Sequence, residues 1–331
     1  MTVGAVLVTG GSGFVGQATH GALVADPRVS SLRLLVHEKV PTLASEDRVE
    51  HVRADLADPN SLERVCDGID TVLHLASHVS EDPAQCDAIN GLGTEALVAA
   101  AHAAGVRHLI YLSTAAVYGY AVHRGANETQ TTVAPATPIS RSRARGEQAI
   151  LNAGGIVLRP LFVYGHGDTK FIPAVLGALT RLPFLVNRGK AKLSVISVDG
   201  LVVALAALVS AEWGAAEAGP YHVTDGHPIA FRDLSRCLIR TFGLNAPRWS
   251  LPYPIARTIL RFVGSSAVGS TRWSESAAHR LFLVTHDHYY DDTRLSKFVG
   301  SYSDSGIEVR IADHADWYRR FLAGDRLEAN S

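Results

Sequence analysis

Thr9-Gly10-Gly11-Ser12-Gly13-Phe14-Val15-Gly16 is the first stretch whose residue types and spacing can do chemistry. Gly10, Gly13 and Gly16 stand three apart. Positions without a Cβ let the backbone approach a pyrophosphate, and a helix that starts there points its free N–H groups and positive dipole end at that phosphate. The chemistry implied is dinucleotide binding, with Ser12, Phe14 and Val15 inside the same turn as further contacts. A glycine pattern alone is weak. Here an apolar, β-branched run (Val3 to Val8) precedes it and an Ala-rich amphipathic stretch to about Ala25 follows. Strand, tight turn and helix are the context the motif requires.

The elements that must position this turn follow in order. Strand signals at Leu32 to Val36, Val49 to Ala54, Thr71 to Leu75, Arg107 to Leu112 and Ile156 to Arg159 alternate with helical stretches. One long helix is expected from about Pro83 to Ala104 and another from Pro138 to Asn152. Alternation of this kind predicts parallel pairing and right-handed crossovers, hence an α/β fold with a doubly wound Rossmann-type parallel sheet. The second half is less regular. Lys192 to Val198 reads as a strand, Asp199 to Ala211 as a buried helix, Gly219 to Val223 as a strand and Phe231 to Phe242 as a helix. Pro247 to Pro254 holds three prolines and two large aromatics, so a turn or pocket wall is expected rather than regular structure. With no flexible linker, the expected division is an NADP-binding Rossmann domain over 1–165, to which 190–230 returns. A smaller, mixed substrate-binding part is expected over 166–189 and 231–331.

Composition excludes several classes. The chain has 331 residues, 47% hydrophobic and 19% charged, with a formal net charge of −1. That balance makes no electrostatic case for nucleic acid or a membrane surface. The three cysteines, Cys66, Cys86 and Cys237, are far apart and odd in number, which suits a reducing compartment and no disulfide framework. The run Leu201 to Val209 is too short to span a bilayer. A cytoplasmic location is expected. His286 and His288 lack a third ligand at metal-site spacing, so no metal is expected.

Taken together, the motifs resemble the extended short-chain dehydrogenase/reductase family, which includes sugar-nucleotide epimerases and dehydratases and several ketone reductases. The resemblance is carried by TGGSGFVG at Thr9 to Gly16, Asp55-Leu56, HLAS at His74 to Ser77, and Asn90 with Gly93-Thr94. It continues through STAAVYG at Ser113 to Gly119, Leu158-Arg159-Pro160, Val163-Tyr164-Gly165 and Ser197-Val198-Asp199. It implies a nicotinamide cofactor laid across the carboxyl ends of the strands. Asp55 and Leu56 would lie near the adenine, Ala76 and Ser77 near the ribose and phosphates, and Pro160 and Val163 at the nicotinamide end. An acidic residue ending the second strand would grip the adenosine ribose and repel a 2′-phosphate. His37 stands there instead and Lys39 can pair with a phosphate, which favours NADP(H); Glu38 is the objection.

The same resemblance exposes a departure. The family's centre is a Tyr and a Lys four residues apart on one helix face, with a Ser or Thr ahead that polarises the carbonyl. Pro138, Ser142 and Glu147 fix the register, so Ile139 takes the Tyr position and Arg143 the Lys position, while Thr114 matches the Ser/Thr. Isoleucine has no proton to transfer. Arg143 can hold a ribose but is a poor proton source. Tyr120, His123 and Ser140 are the candidate stand-in acids, and nearby Tyr118 reads as structural. The favoured reading is NADPH-dependent reduction of a ketone on a bulky aromatic polyketide. Thr114 orients the carbonyl and a neighbouring substrate hydroxyl supplies the proton. The Ile139 and Arg143 pair is similar to that of atypical members acting on angucyclinone ketones in antibiotic biosynthesis. The second half offers aromatics and no Arg or Lys cluster for a sugar-nucleotide pyrophosphate. A non-catalytic, redox-sensing NADP(H)-binding regulator is the alternative. A sugar-nucleotide epimerase or dehydratase is a further one, weakened because both chemistries lean on the missing Tyr. Asp168 and Lys170 lie in a loop that can close over the nicotinamide, although a solvated loop is the plainer expectation; Arg272 and Trp273 can line the substrate pocket.

Overall fold

A computed structural model describes residues 4–37, 47–263, 275–303 and 306–324. Seven strands make one sheet: β1 (Gly4–Thr9), β2 (Val29–Val36), β3 (Val49–Arg53), β4 (Thr71–His74), β5 (His108–Leu112), β6 (Ile156–Arg159) and β7 (Gly219–His222). Their order is β7-β6-β5-β4-β1-β2-β3, and every neighbouring pair is parallel. The order reverses between β1 and β4, where an open parallel sheet parts to admit a ligand at its carboxyl ends. Strands buried on both faces need side chains that are apolar at every position. Accordingly Val6 and Val8 of β1 join one core with Leu34, Leu73, Ile110 and Leu158. Leu7, between them, joins the other core with Leu35, Val72, Leu109 and Val157.

The helices on the two faces are α1 (Phe14–Ala25), α2 (Gly93–Ala103), α3 (Pro138–Asn152) and α5 (Val198–Ser210), the last packed against α1. Between α3 and α5 runs α4 (Phe171–Arg181); α6 (Phe231–Phe242), α7 (Tyr253–Val263) and α8 (Glu275–Thr285) follow. α3 is started by a capping box in which Thr137 and Ser140 bond reciprocally, with a proline in the first turn.

Three expectations are corrected. The stretch from Pro83 to Ala104 is not one helix: a turn Pro83–Cys86 leads into a π-helical turn Asp87–Leu92 and then α2. The extra residue of a π turn re-aims the side chains around it. Asn90 is turned fully inside, where Oδ1 accepts from the His78 N–H at 2.7 Å and Nδ2 donates to the His78 carbonyl at 2.9 Å and to Ser142 Oγ at 3.0 Å. The expected strand from Lys192 to Val198 is two. Lys192–Leu193 belongs to a small mixed sheet with Ile229–Ala230, His288–Tyr290 and His123–Ala126, whereas Val195–Ser197 pairs with Phe162–Tyr164. Ser194 makes the break, giving its N–H to the His288 carbonyl and taking the Tyr290 N–H on Oγ. The proline-rich stretch is regular too. Trp249–Leu251 pairs with Phe184–Val186, and α7 begins at Tyr253 with Pro254 in its first turn, where a missing N–H costs nothing. Among the described residues no helix is long and apolar enough to cross a membrane, and Cys66, Cys86 and Cys237 are buried, free thiols.

Candidate active site

A cavity of about 770 Å³ opens at the carboxyl ends of β1, β4 and β5. The glycine turn forms its floor. Gly10 has φ +72, and a Cβ there would lie 2.6 Å from the Ala76 nitrogen. Gly13 donates its N–H to the Gly10 carbonyl at 3.0 Å, and a Cβ on Gly16 would drive into that same oxygen. The turn after β1 can therefore lie against the segment that follows β4 only through glycine. Gly13 also precedes α1, and no side chain caps that helix. The first N–H groups of α1 are left for a ligand beside the cavity. Such a cradle fits a dinucleotide pyrophosphate.

The other cofactor candidates surround it. Ser12, Phe14 and Val15, His37, Asp55 and Leu56, Ala76 and Ser77, and Pro160 and Val163 all line the cavity. His37 Nε2 lies 3.3 Å from Asp55 Oδ2, so the imidazole that follows β2 meets the carboxylate that follows β3. Leu56 is fixed from behind by Gly93, where a Cβ would meet its carbonyl oxygen at 2.6 Å. Glu38, Lys39, Arg272 and Trp273 lie outside the described residues.

Thr114, Ile139 and Arg143 line the same cavity. Arg143 ties two strand ends together: Nε donates to Ser77 Oγ at 3.1 Å and Nη1 to the Leu112 carbonyl at 3.0 Å. Ile139 is half-buried, four residues before Arg143 on α3. Thr114 caps the short turn Ala115–Tyr118, where Oγ1 accepts the Ala116 N–H at 3.2 Å. Its own hydroxyl proton stays available to a carbonyl oxygen. Beneath them His74 bridges Thr9 Oγ1 (2.6 Å) and Thr94 Oγ1 (2.9 Å), and burial, with Arg143 adding, lowers its pKa to about 3. It is a neutral strut.

The stand-in acids and nearby Tyr118 fare unequally. Tyr118 is buried outside the lining. Its hydroxyl sits 2.7 Å from His222 Nε2 and accepts from Arg159 Nη1 at 3.0 Å, and Arg159 forks onto the Glu147 carboxylate. Tyr120 is 49% exposed and packs on the rings of His279 and Phe282. His123 is buried against Tyr118 and Tyr290. Ser140 does line the cavity, but its hydroxyl is engaged by Thr137 in the capping box. Asp168 differs from the solvated-loop expectation. It is 1% exposed, and its carboxylate accepts the N–H groups of Lys170, Phe171 and Ile172, each at 2.8 Å, which starts α4. Lys170 is exposed. Gly167 stands against Phe14, with a would-be Cβ 2.9 Å from the ring, so this loop packs on the glycine turn.

One wall has no counterpart in the sequence reading. Ser276, His279, Arg280 and Leu283 of α8 line the cavity. Their spacing, i, i+3, i+4 and i+7, was the available signal.

A wholly parallel sheet reversing at β1, with a glycine turn and a Thr-Ile-Arg constellation over its carboxyl end, defines a Rossmann-type protein of the short-chain dehydrogenase/reductase class. Within that class the chain belongs to the 3-beta hydroxysteroid dehydrogenase/isomerase family, matched over residues 7–253. It is 30% identical over 276 residues to a 4-hydroxy-2-methyl-3-oxo-4-farnesyl-3,4-dihydroquinoline-1-oxide ketoreductase of Stigmatella aurantiaca, covering 76% of this chain and 77% of that one. It is 32% identical over 260 residues to a 2-alkyl-3-oxoalkanoate reductase of Stenotrophomonas maltophilia, covering 73% and 76%. Among solved structures it is similar in fold to a dTDP-glucose 4,6-dehydratase from Streptomyces venezuelae with NAD bound. There the TM-score is 0.75 and the identity 19%, over 97% of this chain and 99% of that chain. An RMD structure from Pseudomonas aeruginosa complexed with NADPH gives TM-score 0.68 at 22% identity, covering 96% and 100%.

Proposed function

We propose that this protein is an NADPH-dependent ketoreductase acting on a ketone of a bulky aromatic polyketide, in antibiotic biosynthesis. The observation that carries the reading is the lining of one cavity by the glycine cradle, Thr114, Ile139 and Arg143. Two relatives named for ketone reduction support it. The cradle of Gly10, Gly13 and Gly16 and the open N-terminus of α1 would hold the pyrophosphate. Arg143 would reach the nicotinamide ribose, and His37 the adenosine end, where a ring N–H suits a 2′-phosphate. When bound, the reduced cofactor supplies a hydride.

The chain's own part is positioning and charge. Thr114 donates its hydroxyl proton in a hydrogen bond to the substrate carbonyl, which stabilises the negative charge that develops on that oxygen. Ile139 contributes apolar wall where the family has its proton donor. The proton must come from elsewhere, and a phenol or enol beside the carbonyl is within reach of the new alkoxide. A general acid typically contributes about 10²–10⁴-fold, a loss the substrate's own hydroxyl offsets.

The test is turnover. Purified protein with NADPH and a panel of hydroxylated aromatic ketones should consume the reduced cofactor, and NADPH should bind more tightly than NADH. Methylating the hydroxyl beside the carbonyl should stop reduction while binding survives; full activity on the methyl ether overturns the substrate-assisted step. The apolar Ile139 also favours a second reading, a regulator that senses the NADP(H) redox state without chemistry. Tight cofactor binding with no ketone ever reduced would select it.

A further inference from the structure

The face of α8 that lines the cavity carries two polar atoms with open valences. Ser276 is 3% exposed, and its Oγ, itself buried, has no hydrogen-bond partner among the described residues. Native chains rarely leave a buried hydroxyl in that state without a use for it. His279, one helical turn on, is also 3% exposed, and its Nε2 lies 2.9 Å from the Gly119 carbonyl oxygen. A carbonyl only accepts, so Nε2 carries the proton. Burial holds the His279 pKa below its ordinary value, and neighbouring Arg280 acts in the same sense. Burial favours the neutral ring, in which Nδ1 is the acceptor, and Nδ1 has no partner among the described residues.

The anchor of that ring matters. Gly119 ends the turn Ala115–Tyr118 that Thr114 caps. It has φ +67, and a Cβ there would run into the Ala134 carbonyl, so the position is closed to other residues. His279 is thus held to the same turn as the hydroxyl assigned to the carbonyl.

We propose that Ser276 and His279 form a hydroxyl-recognition subsite that selects a second substrate hydroxyl, remote from the reacting ketone. A hydroxyl is both acceptor and donor: it takes the Ser276 proton on its oxygen and gives its own to His279 Nδ1. It has only one proton to give. The hydroxyl that protonates the new alkoxide points at the ketone oxygen, so it is not the one that serves His279. The substrate class is then an aromatic ketone with at least two hydroxyls, one beside the carbonyl and one distant. This assignment rests on the ketone-reduction reading.

Three anthraquinones that differ at a single ring position test it: emodin (hydroxyl), physcion (methoxyl) and chrysophanol (hydrogen). Binding is measured by calorimetry with NADP⁺ present, so that nothing turns over. Emodin should bind about tenfold more tightly than the other two. His279→Phe, which keeps a ring, and Ser276→Ala should each abolish that preference while leaving chrysophanol affinity within about twofold. His279→Gln, which keeps an amide donor and acceptor, should retain part of it. Ser276→Ala should also leave the melting temperature unchanged or higher, since no bond is lost; a packing role would lower it. Equal affinity for the three ligands, binding of none of them, or an equal loss across them in the variants overturns the subsite. Turnover with NADPH separates the two claims: reduction without preference sinks the subsite alone, and preference without any reduction counts against the ketone reading while upholding the subsite.

Discussion

The two ends of the cavity are made in different ways. At the cofactor end the ligand surface is backbone, shaped by glycines whose Cβ positions are already filled by neighbouring main chain. The side chains around it, Thr9, His74, Thr94, Asn90 and Arg143, are bonded to one another or to carbonyls. At the α8 end the surface is side chain, and it is left open. Among the described residues, Ser276 Oγ has no partner, His279 Nδ1 has none, and exposed Arg280 makes no ion pair. A ligand that never varies can be met by geometry with no freedom left in it. A substrate particular to one protein is met by valences kept vacant for it.

That contrast can be broken or sharpened by experiment. The largest effect should come from a buried ion pair beneath the cofactor end. Glu147 and Arg159 form a buried pair, extended through Tyr118 to His222 at the edge strand. Glu147→Gln leaves a buried guanidinium without its countercharge and should cost about 3–5 kcal/mol in stability by denaturant unfolding. If the ends were independent modules the melt would split in two; a single shifted transition is expected. Next, Thr114→Val should lower kcat/KM about 10²–10³-fold with cofactor affinity unchanged, because it removes only the donor to the developing oxyanion. An unchanged rate would take Thr114 out of the site. Third, Gly16→Ala forces a methyl into the Gly10 carbonyl and should cost about 1–3 kcal/mol together with most of the NADPH affinity. At the α8 end, by contrast, removing the unpartnered hydroxyl in Ser276→Ala should cost no stability.

The effect that is smallest for each residue, near pH 6, is acid sensitivity. Burial lowers the pKa of His74 and of His222 to about 3 and of His288 to about 4, against 6.5 for an ordinary histidine. Below about pH 6.5 the unfolded chain takes up protons that the folded one refuses. Stability is therefore fully present above that pH and falls as pH drops toward about 4. At about pH 6 each such histidine costs roughly 0.8 kcal/mol. Melting temperatures measured across that window should decline smoothly, and a flat profile would mean these rings are protonated in the native state.

How much was legible in the sequence follows the same division. The cofactor end announces itself because glycine spacing and apolar strands are local signals, and every described residue assigned to it lines the cavity. The break inside the expected helix from Pro83 falls at Asn90-Gly91 and Gly93, but a π turn adds one residue while the chain stays helical, so those residues alone do not separate it from a continuous helix. The α8 wall was missed for a related reason. Ser276, His279 and Arg280 at helical spacing read as a solvated polar face, and only tertiary packing tells a face that meets water from one that meets a cavity. Asp168 misled in the other direction, since a carboxylate three residues before a helix is as much a cap as a loop charge.

The pairing of His123–Ala126 with His288–Tyr290 also bears on how the chain is made. The first strand leaves the ribosome some 165 residues before its partner, from the register of His123 with His288. At ordinary elongation rates of about 5–20 residues per second, that is a wait of roughly 10–30 s. For that interval the segment carrying Thr114 and its turn has no small sheet to rest on. The nascent protein is then a nearly complete nucleotide-binding sheet with an unfinished flank, a state a chaperone would recognise.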